Sequence, residues 1–318
     1  MNYKSFADLS QDIKANLHKI PRDVSLIVGI PRSGLLAANL LSLYLNLPFA
    51  DLESFSKGQL LSTGSRGKSY AKDAFKGRIL VVDDSIFSGK ALRGAKEKLH
   101  DVIASDQYKI SFCCVYVNPG YEDLIDISLV MLGMPRLFEW NIFHHSILKN
   151  ACVDIDGVLC IDPEECENDD GELYTKFILN ARPHIIPKVK MAALVTSRLE
   201  KYRDQTESWL RQHNIEFGEL IMLDLPDRET RMKMNNHGEF KAAEYTKRTN
   251  AFLFIESSRS QAQKIFELTG KDVYCVDTNE MYTKDTYHKL ARKVRKRSGK
   301  IIKKLKSLVY KLLIARFL

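Results

Sequence analysis

Six short apolar runs, each rich in β-branched residues, set what this chain can fold into: VSLIVGI (24–30), RILVVDD (78–84), KISFCCVYV (109–117), ACVDIDG (151–157), MAALVT (191–196) and AFLFIE (251–256). Amphipathic stretches of helical character separate them. That alternation predicts an α/β protein with parallel sheets and crossover helices. The 318 residues suffice for two such domains, each with its own core. We expect two doubly wound parallel-sheet domains, over 1–146 and 147–285, followed by a basic amphipathic tail over 286–318. The uncharged stretch SGLLAANLLSLYLNLPFA (33–50) is barely long enough to span a bilayer and holds two Asn and a Pro, so it reads as a buried helix and strand.

Charge separates the tail from the body. The formal charge is +8, but residues 288–318 hold twelve Lys/Arg and no acid, which leaves the remainder at −4. A mildly acidic body does not favour nucleic acid as a partner. In the tail, KIIKKLKSLVYKLLIARFL (300–318) puts Ile301, Leu305, Leu308 and Leu312 on one stripe with lysines around it. Such a helix suits an anionic membrane surface, where each basic residue adds about 1 kcal/mol. The N-terminus has no signal-peptide pattern, and the six cysteines show no CxxC or metal spacing. The expected location is cytoplasmic, peripheral at the inner face of the cytoplasmic membrane.

The run ILVVDD ends in adjacent acids, Asp83 and Asp84, and continues SIFSGKAL, with Ser85, Ser88 and Gly89 opening a helix. Carboxylates at the end of a parallel strand face the crevice where α/β sheets bind ligands. They repel phosphate but accept hydrogen bonds from hydroxyl groups, whereas backbone amides at a helix start hold phosphate. A sugar phosphate satisfies both. The segment resembles the phosphoribosyl-pyrophosphate site of type I phosphoribosyltransferases. VGIPRSG (28–34) resembles that family's pyrophosphate loop, with Gly29, Arg32, Ser33 and Gly34 in place. The polar stretch 56–77 stands where the family has a mobile loop, and it offers Arg66 and Lys68 as pyrophosphate contacts. The resemblance implies Mg²⁺ and a phosphoribosyl-pyrophosphate donor, with the carboxylates beneath the positive charge that develops on the ribose.

In ACVDIDGVLC (151–160), Asp154 and Asp156 lie two apart, and on an extended segment they share a face. Two carboxylates with a divalent cation supply a nucleophile and a proton donor. Thr196 ends the next run, Lys241 begins a helix, and Glu256 tips a third run. This order resembles the four motifs of haloacid-dehalogenase-like phosphatases over residues 148–280. The resemblance implies Asp154 as nucleophile, Asp156 as acid/base, Thr196 as phosphate binder and Lys241 as charge neutraliser. Asp154, Asp156 and Glu256 would hold Mg²⁺. Glu256-Ser257-Ser258 departs from that family's fourth motif, which usually carries aspartates, and Lys247 competes with Lys241 on position alone. The 162–188 stretch is too short for a full cap domain.

Together the resemblances imply phosphoribosyl transfer followed by removal of the 5-phosphate, leaving a ribofuranosyl group. A lidless phosphatase and a membrane-facing tail favour a lipid-linked glycan acceptor. The alternatives are a soluble nucleobase phosphoribosyltransferase with nucleotidase activity, and a non-catalytic phosphoribosyl-pyrophosphate sensor. FEWNIFHH (138–145) reads as packing at the domain junction, with Trp140 and His144 as weaker candidates for holding a sugar acceptor.

Overall fold

The computed structural model describes residues 1–61, 75–104, 108–234 and 236–285. Arg66, Lys68 and the tail lie outside the described residues. The chain forms two compact units, the first Met1–Trp140 and the second beginning at Asn141.

The first unit is built on a five-stranded parallel sheet of order β3-β2-β4-β5-β6. Its strands are β2 (Val24–Gly29), β3 (Phe49–Asp51), β4 (Arg78–Ile86), β5 (Ile110–Val117) and β6 (Ile127–Met131). A separate parallel pair joins β1 (Asn2–Lys4) to β7 (Arg136–Phe138). Alternate residues of the central strands feed separate cores. Leu26, Val28, Ile79 and Val81 pack on one face with Leu52, Phe55, Leu92 and Leu99. Ile27, Leu80 and Val82 pack on the other with Leu9, Ile13, Ala37 and Leu41. Helices thus cover both faces, which is why these strands read as nearly continuous apolar runs. After a first helix, α1 (Phe6–Ala15), the 33–50 stretch is α2 (Gly34–Leu45) followed by β3.

The second unit carries a six-stranded sheet of order β10-β9-β8-β11-β12-β13. These are β8 (Ala151–Val153), β9 (Met191–Leu199), β10 (Phe217–Leu223), β11 (Leu253–Glu256), β12 (Asp272–Cys275) and β13 (Glu280–Tyr282). All pairs are parallel except β12 with β13. Central β8 lies between β9 and β11, so the ends of the three motif-bearing strands are neighbours. One α-helix, Glu172–Asn180, lies in the connection from β8 to β9. All six cysteines are unbridged, and Cys166 alone of them is exposed. No helix among the described residues is long and apolar enough to cross a membrane.

Candidate functional sites

The acid pair of the first unit does not sit at the very tip of its strand. β4 continues through Asp83, Asp84 and Ser85 to Ile86, because β5 pairs with it as far as Ile86↔Val117. On the other side β2 stops at Gly29↔Val82. β4 therefore outruns β2 at the acid pair, and both acids are buried there, at 6% and 4% exposure. Ser33 Oγ donates to Asp84 Oδ1 at 2.8 Å, and Trp140 Nε1 donates to Asp84 Oδ2 at 3.0 Å. Asp83 Oδ1 accepts from the Asp84 amide at 2.9 Å.

The flanking turns leave backbone amides for an anion. Ser33 stands at the N-cap of α2, yet its hydroxyl serves Asp84 and makes no capping bond. Gly89 caps the helix Lys90–Lys98 with φ of +69° and supplies no side-chain acceptor either. Helix starts of this kind are ready to receive phosphate. Gly34 is required by close approach: a Cβ there would fall 2.9 Å from both Asp83 Oδ1 and the Val82 carbonyl. Gly29 meets a similar limit at 2.8 Å from the Leu35 side chain. Arg32 is exposed beside this loop, Ser85 is half-buried, and the Ser88 carbonyl accepts from Arg93 Nη1 at 3.0 Å.

Burial, together with the neighbouring Asp84 charge, pushes the Asp83 carboxyl up to about 8. The sign of its pH effect follows. Between about pH 4, where an ordinary carboxyl ionises, and pH 8, the unfolded chain gives up a proton that native Asp83 keeps. Stability from this group is therefore lost as pH rises through that window. We expect the melting temperature to fall from pH 5 to pH 8, and Asp83→Asn to flatten that slope. An unchanged slope in the variant would remove Asp83 as its source.

Trp140 corrects the sequence reading. Instead of serving only as junction packing, its indole stacks on Phe138 at 4.7 Å and aims its N–H at Asp84. Sequence reasoning missed this link because the partners are 56 positions apart. His144 lies in a short 3₁₀ turn, Ile142–His144, of the second unit.

In the second unit β8 ends at Val153, so Asp154 and Asp156 follow the strand, and Asp156 forms an isolated bridge with Cys160. Their carboxylates are drawn to different cations. Lys241 Nζ donates to Asp154 Oδ2 at 2.6 Å, to Glu256 Oε2 at 2.7 Å and to Gln261 Oε1 at 2.9 Å. Arg198 takes Asp156 with Nη2 at 2.6 Å from Oδ1 and Nε at 3.1 Å from Oδ2. Thr196 is fully buried and accepts from the Arg198 amide at 3.2 Å. Lys247 lies at the surface, paired with Glu244.

These pairings set the charge states. Burial pushes the Asp154 carboxyl well up, and the adjacent Lys241 ammonium opposes it. Burial acts on Asp156 in the same sense, but the Arg198 guanidinium outweighs it and holds Asp156 below the usual carboxylate range. Burial acts against the Lys241 charge, yet Asp154 and Glu256 outweigh it and raise the lysine above its ordinary value. Arg198 was legible in part, since it follows Thr196 by two on a strand and so shares its face.

Two features bear on a metal. Among the described residues no group of three or more His, Cys, Asp or Glu is set to hold one, and Arg198 occupies both oxygens of Asp156, the third expected ligand. Yet Asp162 feels the charges of Asp156, Asp277 and Glu256, so carboxylates here outnumber Lys241 and Arg198. Asp154 and Glu256, the other two expected ligands, both accept from Lys241, so a divalent cation held there would have to displace that ammonium.

Residues 2–147 match the family model described as "Phosphoribosyl transferase domain". The first unit is thus a phosphoribosyltransferase-type domain, a stretch short of half the chain. Among solved structures, the chain is similar to the purine phosphoribosyltransferase of Pyrococcus horikoshii, at 22% identity over 43% of this chain and 92% of that one, TM-score 0.32. It is also similar to the xanthine-guanine-hypoxanthine phosphoribosyltransferase of Helicobacter pylori, at 17% identity over 44% and 92%, TM-score 0.31. The orotate phosphoribosyltransferase of Aeropyrum pernix is similar at 22% identity over 39% and 71%, TM-score 0.29. No curated protein matches the chain.

Proposed function

We propose that the first unit transfers a 5-phosphoribosyl group from phosphoribosyl pyrophosphate to an acceptor, and that the second removes the 5-phosphate, leaving a ribofuranosyl group. The observation that carries this reading is the buried Asp83–Asp84 pair where β4 outruns β2, flanked by helix starts with no side-chain cap.

In the first site the carboxylates accept hydrogen bonds from ribose hydroxyls and lie near the carbon where positive charge develops. The amides after Ser33 and Gly89 take the phosphates, and Arg32 meets the departing pyrophosphate. Ser33 and Trp140 fix Asp84 from both of its oxygens, so the pair is oriented before the sugar arrives. Mg²⁺, when bound, supplies electrostatic neutralisation of pyrophosphate in this unit and of the phosphoryl group in the other.

In the second site Lys241 opposes the burial that favours a protonated Asp154 and so promotes the anionic form that attacks phosphorus, and Thr196 holds a phosphoryl oxygen. Asp156, kept ionised by Arg198, is suited to take the proton from the water that hydrolyses the phosphoaspartate. Its earlier role, protonating the leaving oxygen, requires it to carry a proton against the Arg198 field. The phosphatase step makes the sequence one-way. The acceptor is a lipid-linked surface glycan, the basic segment 288–318 resting on the cytoplasmic leaflet.

Incubating the protein with phosphoribosyl pyrophosphate, Mg²⁺ and lipid-linked glycans in anionic vesicles, beside a panel of nucleobases, tests this. A glycan gaining an unphosphorylated pentose, read by mass spectrometry, is expected. Consumption of a nucleobase instead would replace the glycan reading with nucleotide metabolism. A narrower prediction concerns Trp140→Phe, which retains an aromatic ring and removes the N–H. The donor KM should rise roughly tenfold, the worth of one hydrogen bond to a charged group, with kcat changed less. An unchanged KM would count against Trp140 as a positioning residue.

A further inference from the structure

Arg231 is a buried guanidinium with no ion-paired carboxylate among the described residues. It lies in the helix Arg228–Met234 at 7% exposure. Nη1 donates to the Ser197 carbonyl and Nη2 to Asn168 Oδ1, both at 3.2 Å, and the Tyr174 hydroxyl is a further hydrogen-bonding neighbour, so every partner is neutral. Nε is buried without a hydrogen-bond partner, and among the described residues Arg231 makes no ion pair. The same is true of nearby hydrogen-bonding capacity: Ser197 Oγ and His237 Nδ1 are also buried and unpartnered. His237 is close enough to Arg231, Lys241 and Glu256 to feel their charges, and Tyr174 feels Arg231, Arg198 and Asp156. This cation therefore stands against the end of β9, at Ser197, one residue from Thr196 and from Arg198.

Burying a charge without a counter-charge is costly, whereas Arg198 nearby has Asp156 to offset it. A fold keeps such a group where a ligand brings the missing charge. We propose that Arg231, with Ser197 Oγ and His237, forms a second oxyanion seat beside the phosphatase centre. It receives a carboxylate or phosphate borne on the leaving-group side of the substrate. This rests on the phosphatase reading and narrows it: the preferred substrates are 5-phosphoribosyl compounds whose substituent at C1 is anionic.

The test compares methyl ribofuranoside 5-phosphate with ribose 1,5-bisphosphate, which share ring and 5-phosphate and differ in charge at C1. The full-length protein should hydrolyse the 5-phosphate of the bisphosphate with kcat/KM about tenfold higher or more. Arg231→Gln should erase that preference and Arg231→Lys restore part of it. No preference in the parent protein, or an equal loss on both substrates in Arg231→Gln, overturns the seat. Should Arg231→Gln not fold, the parent ratio and its collapse in high salt decide the matter. If neither compound is hydrolysed, the phosphatase reading fails, and calorimetric titration with ribose 1,5-bisphosphate decides for the seat. Binding that Arg231→Gln abolishes supports it, and absent or equal binding overturns it.

Discussion

Asp154→Asn should cut phosphate release by about 10³-fold or more, while pyrophosphate release by the first unit continues. The substitution is nearly isosteric and keeps a hydrogen-bond acceptor for the Lys241 ammonium, which contacts Oδ2 at 2.6 Å. It removes the only property attack on phosphorus needs, an anionic oxygen. A 5-phosphorylated acceptor should then accumulate and be visible in a mass spectrum of the product. If the purified variant still yields dephosphorylated product at the parent rate, Asp154 is not the nucleophile and the consecutive-step reading fails.

The paired change Asp83→Asn with Asp84→Asn should lower pyrophosphate release by about 10²- to 10³-fold, leaving hydrolysis of a simple phosphomonoester intact. Both side chains are buried and close enough to share one negative charge below about pH 8, and that charge is little screened by water where it meets the sugar. Asn at 84 also presents an amide donor to Ser33 or Trp140 where an acceptor stood, which loosens the pair's orientation. Parent-like pyrophosphate release in this variant would move the donor site elsewhere. A drop in both activities together would point to misfolding, which the phosphomonoester assay detects.

The parts of this fold visible in the sequence are those where local pattern and tertiary role coincide. ILVV and SLIV are buried on both faces, so their apolar runs need no context to be read as central strands. The acid pair was legible for the same reason, since charges directly after such a run must face an opening. Edge elements were not. β10, FGELIML, is half exposed and carries a charge and a glycine, and β7 spans three residues including Arg136. What the sequence hides most is pairing across distance. Thr196, Lys241 and Glu256 could be proposed from order alone, but the Arg198–Asp156 clamp joins residues 42 positions apart. That clamp holds Asp156 below the usual carboxylate range, which under the proposed phosphatase reading bears on which half-reaction the residue would serve.

Gly34 carries a consequence for the first unit. Because its α-carbon lies flush against the Asp83 carboxylate and the Val82 carbonyl, the start of α2 and the tip of β4 behave as one solid corner. Under the transferase reading proposed above, that corner sets how far the amides that would take phosphate stand from the acids that would meet the sugar.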